Sequence, residues 1–184
     1  MKGVQKIYDI EEIFNESSLQ FIDCLIFPRR WKESIYDLTH ANYETGGAII
    51  YRPQQNFFIC EYYKILNDPQ SAYCTGKYDS QKVKDFVEII EKCRQIDGFC
   101  NLNLVWFHCH TVATGEYWYD KFSSGDLQSF SKENSNYQHV LFTPTKILTY
   151  SEKPLAVSFA HNYQPEINNK YDKWEKIFDL MEAE

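Results

Sequence analysis

Apolar residues along this chain fall into two spacings. From Ser80 to Ile96, the residues Val83, Phe86, Val87, Ile90 and Cys93 recur every three or four positions, the period that lines one stripe of a helix. Ser80 stands where a cap belongs and Asp97-Gly98 follows the last turn, so a helix is predicted over 80–96. "GGAIIYR" (46–52) and "NFFICEYYKI" (56–65) are short, β-branched and aromatic, and "PQQ" joins them. They predict an antiparallel strand pair. "LNLVWFHCH" (102–110) reads as a buried strand. "QHVLFT" (138–143) and "KILTYS" (146–151) read as a hairpin about Pro144-Thr145, and "LAVSFA" (155–160) as a further strand.

The remaining segments complete the outline. "QKIYDIEEIFNE" (5–16) has apolar residues at 7, 10, 13 and 14, which predicts a short amphipathic helix. "SLQFIDCLIF" (18–27) predicts a strand stopped by Pro28, and "RRWKESIYDLTHAN" (29–42) fits a helix or a loop. Residues 66–79 are rich in Asn, Asp, Pro, Ser and Gly and predict a loop. Ser123 or Ser124 can cap a helix running to about residue 133, with Asp126 in its first turn. "YDKWEKIFDLM" (171–181) predicts a closing amphipathic helix. This order implies an α+β fold: an α/β sandwich whose mixed, mostly antiparallel sheet is flanked by helices, in a single domain over 1–184.

Composition narrows the function classes. The 184 residues, 43% hydrophobic and 17% aromatic, suit one packed globular core. The chain has no apolar run of roughly twenty residues and no signal-like start, so a cytoplasmic protein without a membrane partner is expected. A secreted effector stays open beside it. The net charge of −7 argues against nucleic acid as a general partner. The six cysteines are scattered with no CxxC pair, which predicts buried free thiols and excludes zinc-ribbon and thioredoxin-like sites.

The chemistry concentrates in "FHCHTVATGEYWYDKFSSGD" (107–126). Histidine is scarce, five in the whole chain, yet His108 and His110 are one residue apart. On a strand, residues i and i+2 point to the same side, so both imidazoles can reach one point while Cys109 turns into the core. Asp126 can return a carboxylate to that point. Two imidazoles and one carboxylate oxygen leave the fourth position of a tetrahedral zinc ion open. Upstream, Glu44 in "NYETGGAII" (42–50) places an acid directly before a Gly-Gly and an apolar strand. Bland alternatives stand beside each feature. The histidines can be a polar patch at a strand end, Ser-x-x-Asp an ordinary helix start, and Glu44 a solvated residue.

Taken together, Glu44, the Gly-Gly strand, His-x-His and Ser-x-x-Asp resemble the JAMM/MPN⁺ (JAB-domain) zinc metalloprotease family, as a divergent branch. The resemblance spans about residues 42–151, with an N-terminal extension (1–41) and a C-terminal helix (about 170–183) outside it. Thr111 stands where the family usually has proline, and the spacer from His110 to Asp126 is longer than the common pattern. The resemblance implies JAB/MPN-like, cytidine-deaminase-like layering. It implies His108, His110 and Asp126 as Zn²⁺ ligands, Glu44 as general base and Ser123 as an oxyanion donor. The implied reaction is hydrolysis of an amide bond, isopeptide or peptide, in a protein or peptide substrate such as a ubiquitin-like conjugate.

Other readings compete. A catalytically silent scaffold of the same fold is the rival from another class, and a toxin-like effector peptidase would share the chemistry. A cysteine protease is disfavoured because Cys109 should point away from the histidines. A (β/α)-barrel phosphoesterase needs about 250 residues and more histidines. "GEYWYD" (115–120) reads as a loop packed on the body, or as a substrate wall through Tyr117 and Trp118. His40, His139 and His161 are assigned no functional role.

Overall fold

The amino-terminal segment departs from the helix predicted over 5–16. In the computed structural model, which describes residues 3–16, 22–67, 78–114, 120–130, 138–160 and 165–183, Val4–Asp9 is a strand (β1) and only Ile10–Asn15 is helical (α1). The reason is backbone pairing: Val4–Asp9 lies antiparallel along residues 146–151, which satisfies peptide groups a lone helix end would leave to water. Ile7, which suggested the helical period, is 58% exposed. Asp9 then caps α1, its carboxylate accepting the N–H groups of Glu11 and Glu12 at 3.0 and 3.2 Å.

The chain continues through β2 (Cys24–Phe27), α2 (Trp31–Thr39), β3 (Gly46–Gln54), β4 (Phe57–Ile65), α3 (Ser80–Arg94) and β5 (Asn103–Cys109). After a 3-10 turn, Val112–Thr114, come α4 (Ser124–Phe130), β6 (His139–Phe142), β7 (Lys146–Ser151), β8 (Ala156–Phe159) and α5 (Pro165–Glu182). The ambiguous segment 29–42 is helical over Trp31–Thr39, with Trp31, Ile35 and Thr39 buried at four-residue spacing. The cap of α3 is Asp79 rather than Ser80; its carboxylate accepts from Gln81 and Lys82, both at 2.9 Å. Parts of the strand expected over 18–27, the loop over 66–79 and the helix end near 133 lie outside the described residues.

The eight strands among the described residues form one sheet in the order β1-β7-β6-β5-β3-β4-β2-β8. The pairs β5–β6, β2–β4 and β2–β8 are parallel and the other four are antiparallel, so the fold is α+β with a mixed, mostly antiparallel sheet. Residues ahead of 42 supply β1, α1, β2 and α2. The β3–β4 register shifts between Ile50 and Tyr51, a bulge that leaves Glu61 as the extra residue. The indole N–H of Trp174 in α5 donates to Glu61 at 3.1 Å.

The two faces of the sheet have different covers. Ile49, Val105, Phe107, Cys109, Val140 and Phe142 pack beneath α1 and α2. On the other face Ala48 and Ile50 pack under α3 and α5 through Phe86, Ile90, Trp174 and Phe178. Further along, Leu141 and Leu148 are covered by Phe122 and Phe130 around α4. The end of β5 lies at the border of these two patches. Cys24, Cys60, Cys93 and Cys109 are buried free thiols, but Cys100 is exposed, against the expectation that all were buried. Among the described residues no helix is long and apolar enough to cross a membrane.

Candidate metal centre

Strand alternation delivers the histidines. His108 is in β5 and the His110 N–H donates to the Phe142 carbonyl at 2.9 Å, so the backbone stays paired to β6 through His110. Both imidazoles therefore face the same side, their Nε2 atoms 3.2 Å apart and both side chains buried. Cys109, between them, faces the opposite core. Burial, with the Glu44 charge adding to it and a Thr45 hydrogen bond opposing, pushes its thiol up to about 12. A thiolate nucleophile at Cys109 is not what this site offers.

Asp126 arrives on a helix start. The Ser123 N–H donates to Asp126 Oδ2 at 2.7 Å and the Asp126 N–H donates to Ser123 Oγ at 3.1 Å, a reciprocal cap that fixes the first turn of α4. The same Oδ2 lies 3.5 Å from His108 Nε2 and 3.9 Å from His110 Nε2. Burial opposes ionisation of Asp126. The hydrogen bond and charge of His108, with the Ser123 hydroxyl and N–H, outweigh it and hold the carboxyl well below the usual carboxylate range.

Whether such a group fits zinc is a matter of spacing. Donors about 2.0–2.1 Å from a tetrahedral ion sit roughly 3.3 Å from one another. The three separations of 3.2, 3.5 and 3.9 Å bracket that value, and two imidazoles with a carboxylate are a donor set that zinc accepts. His108, His110 and Asp126 are the group among the described residues whose donor atoms all lie within 4.8 Å of one another. The residues present fit a zinc ion.

Glu44 is 6% exposed, which removes its reading as a solvated strand-entrance residue. In the antiparallel β3–β5 pairing Gly46 lies opposite His108. The Cys109 N–H donates to the Thr45 carbonyl at 2.7 Å, extending that pairing, and two residues beyond Gly46 the register sets Glu44 across from His110. Asn67 secures this backbone from the side. Its amide N–H donates to the Glu44 carbonyl at 2.8 Å, and its amide oxygen accepts the Gly46 N–H at 3.2 Å. Asn67 is wholly buried. Sequence reasoning passed over it, since an Asn at a strand exit carries no local signal of such a clasp.

His139 was also passed over. It is 3% exposed, and its Nε2 is 2.6 Å from His108 Nδ1. The Phe130 ring lies 4.7 Å away, centroid to centroid, with Phe122 at 6.2 Å. Burial, and next the adjoining His108, push its pKa well below the ordinary histidine value. His40 instead ends α2, its Nδ1 2.8 Å from the Tyr36 carbonyl and its ring stacked on Tyr36. Tyr117, Trp118 and His161 lie outside the described residues.

No protein-family model matches the chain, and no curated protein is similar to it in sequence. Among solved structures, the chain is similar to the solution structure of protein DSY2949 from Desulfitobacterium hafniense. Sequence identity is 9% and the TM-score 0.49, with 78% of this chain and 97% of that one covered. At that level the likeness says nothing about chemistry, which rests on the side chains just described.

Proposed function

We propose that this chain is a zinc-dependent hydrolase of amide bonds, an isopeptidase or peptidase of the JAMM type with JAB/MPN-like layering. One observation carries the reading. His108 Nε2, His110 Nε2 and Asp126 Oδ2 converge at 3.2–3.9 Å, on the side of the sheet where the register sets Glu44 across from His110. The order of elements supports it as well, with Glu44 ahead of β3, the histidines closing β5 and Asp126 opening α4.

His108, His110 and Asp126 would hold the ion. Zinc, when bound, supplies Lewis-acid chemistry and brings the pKa of water from about 15.7 toward about 7. Glu44 takes a proton from the attacking water and passes it to the leaving amine nitrogen. Ser123 keeps Asp126 in place through the helix cap, and its O–H is the donor we assign to the developing oxyanion. Tyr117 and Trp118 are assigned to substrate contact, as aromatics that supply large contact area. The substrate is a protein or peptide, with ubiquitin-like conjugates the first class to try.

Metal analysis of purified protein, followed by a cleavage panel of ubiquitin-like conjugates and peptides, tests this. Equimolar zinc, with cleavage that a chelator abolishes and zinc restores, is the expected result. Equimolar zinc without cleavage would point to an effector with a narrower target. Protein that takes up no zinc would leave the non-catalytic scaffold as the better reading.

A further inference from the structure

His108 has two ring nitrogens, and both are engaged. Nε2 faces His110 and Asp126, and Nδ1 faces His139 Nε2 at 2.6 Å. A hydrogen bond between two imidazole nitrogens holds one proton, so the bond to His139 has two possible directions with opposite consequences. If His139 donates, the His108 proton sits on Nε2 and points into the donor cluster. If His108 donates, Nε2 presents a lone pair there, as a metal ligand must.

We propose that His139 is a positioning residue of the metal centre, accepting the Nδ1–H of His108 and so holding His108 in the tautomer whose Nε2 is free to coordinate. The inference rests on the zinc reading above. Geometry supports it on both sides of the bond. β6 runs parallel to β5 with Trp106 opposite His139 and His108 opposite Leu141, so the two imidazoles lie on the same face of neighbouring strands. Phe130 and Phe122 line the His139 ring, which limits its freedom to swing away. Ligating histidines usually donate their second N–H to a carboxylate or carbonyl. Here an imidazole nitrogen fills that place, so the partner orients the ligand without adding negative charge.

The test compares wild type with His139→Phe, which keeps an aromatic ring but has no acceptor, and His139→Gln, whose amide oxygen can accept. Zinc affinity by competition with a chromophoric chelator and the visible spectrum of the Co²⁺ form are the readouts. His139→Phe should bind zinc about 10–100-fold more weakly and shift the Co²⁺ bands; His139→Gln should recover much of both. Equal affinity and an unchanged Co²⁺ spectrum in His139→Phe would overturn the proposal while leaving the zinc reading intact. A wild type that binds neither ion would overturn the zinc reading itself. Ring-nitrogen NMR of metal-free wild type gives a readout independent of any variant's folding. A proton on His108 Nδ1, at the bond to His139, is expected, and an Nδ1 that carries none would overturn the assignment.

Discussion

The carbonyl of Thr45 accepts the N–H of Cys109 at 2.7 Å, and this one bond extends the β3–β5 pairing beyond Gly46 and His108, so that the continued register sets Glu44 opposite His110. If Glu44 handles the reaction's proton, its charge matters and its volume does not. Glu44→Gln should lower the rate of amide hydrolysis by about 10²–10⁴-fold while zinc content stays at the wild-type level. A variant that cleaves a wild-type substrate at full rate would remove Glu44 from the chemistry.

Asn67 binds the backbone on both sides of Thr45. Asn67→Ala leaves the Glu44 carbonyl and the Gly46 N–H without that partner in a buried place, at about 1–3 kcal/mol for each group left unsatisfied. Urea unfolding should show a lowered midpoint. Activity should fall further than stability explains, because Glu44 loses its anchor. A midpoint within error of wild type would show that the clasp is dispensable.

Glu61 is nearly fully buried and receives Arg52 Nε at 2.8 Å, Lys170 Nζ at 3.2 Å and Trp174 Nε1 at 3.1 Å. Burial opposes its charge, but the hydrogen bonds of Arg52 and Trp174 and the charges of Lys170 and Arg52 prevail, leaving its pKa below the ordinary 4.5. A depressed folded pKa means that this stabilisation is present above the unfolded value and fades as pH falls through the folded one. Trp174→Phe should cost about 1.5–3 kcal/mol at neutral pH, and the gap from wild type should narrow in acid. Urea midpoints at neutral pH and in acid check this; a gap independent of pH would assign the loss to packing alone.

A side chain at Gly47 has nowhere to go. An added Cβ would collide with the Lys64 backbone carbonyl and press on the Phe107 ring. A backbone atom cannot rotate aside, so Gly47→Ala should destabilise by at least about 1–3 kcal/mol, read as a lower thermal midpoint. An unchanged midpoint would mean that β3 and β4 can part there at little cost.

Elements whose partners are close in sequence were legible. Helix α3 shows its period over fifteen residues, and the β3–β4 and β6–β7 pairs each need one turn. β1 was misread because an edge pairing to β7, far along the chain, overrode a chance helical spacing at Ile7, Ile10 and Ile13. The Asp9-x-x-Glu12 signal for where the helix starts was there to be seen. For the site, strand alternation and the Ser-x-x-Asp cap were enough to suggest that His108, His110 and Asp126 could meet. His139 was not legible, since its place beside His108 depends on the parallel pairing of β5 and β6 across 31 residues. Asn67 was hidden for the same reason, as a side chain whose partners are backbone atoms of another strand.

The reciprocal bonds between Ser123 and Asp126 have a consequence for how such a protein can change. The helix start holds the carboxylate by itself, and the strand exit holds the imidazoles, so residues 112–121 contribute none of the three donors. That connector can be lengthened, rewritten or exchanged while both anchors persist. Under the proposed function, choice of target and grip on the ion would then be inherited separately, and grafting a foreign connector would be the natural route to retargeting.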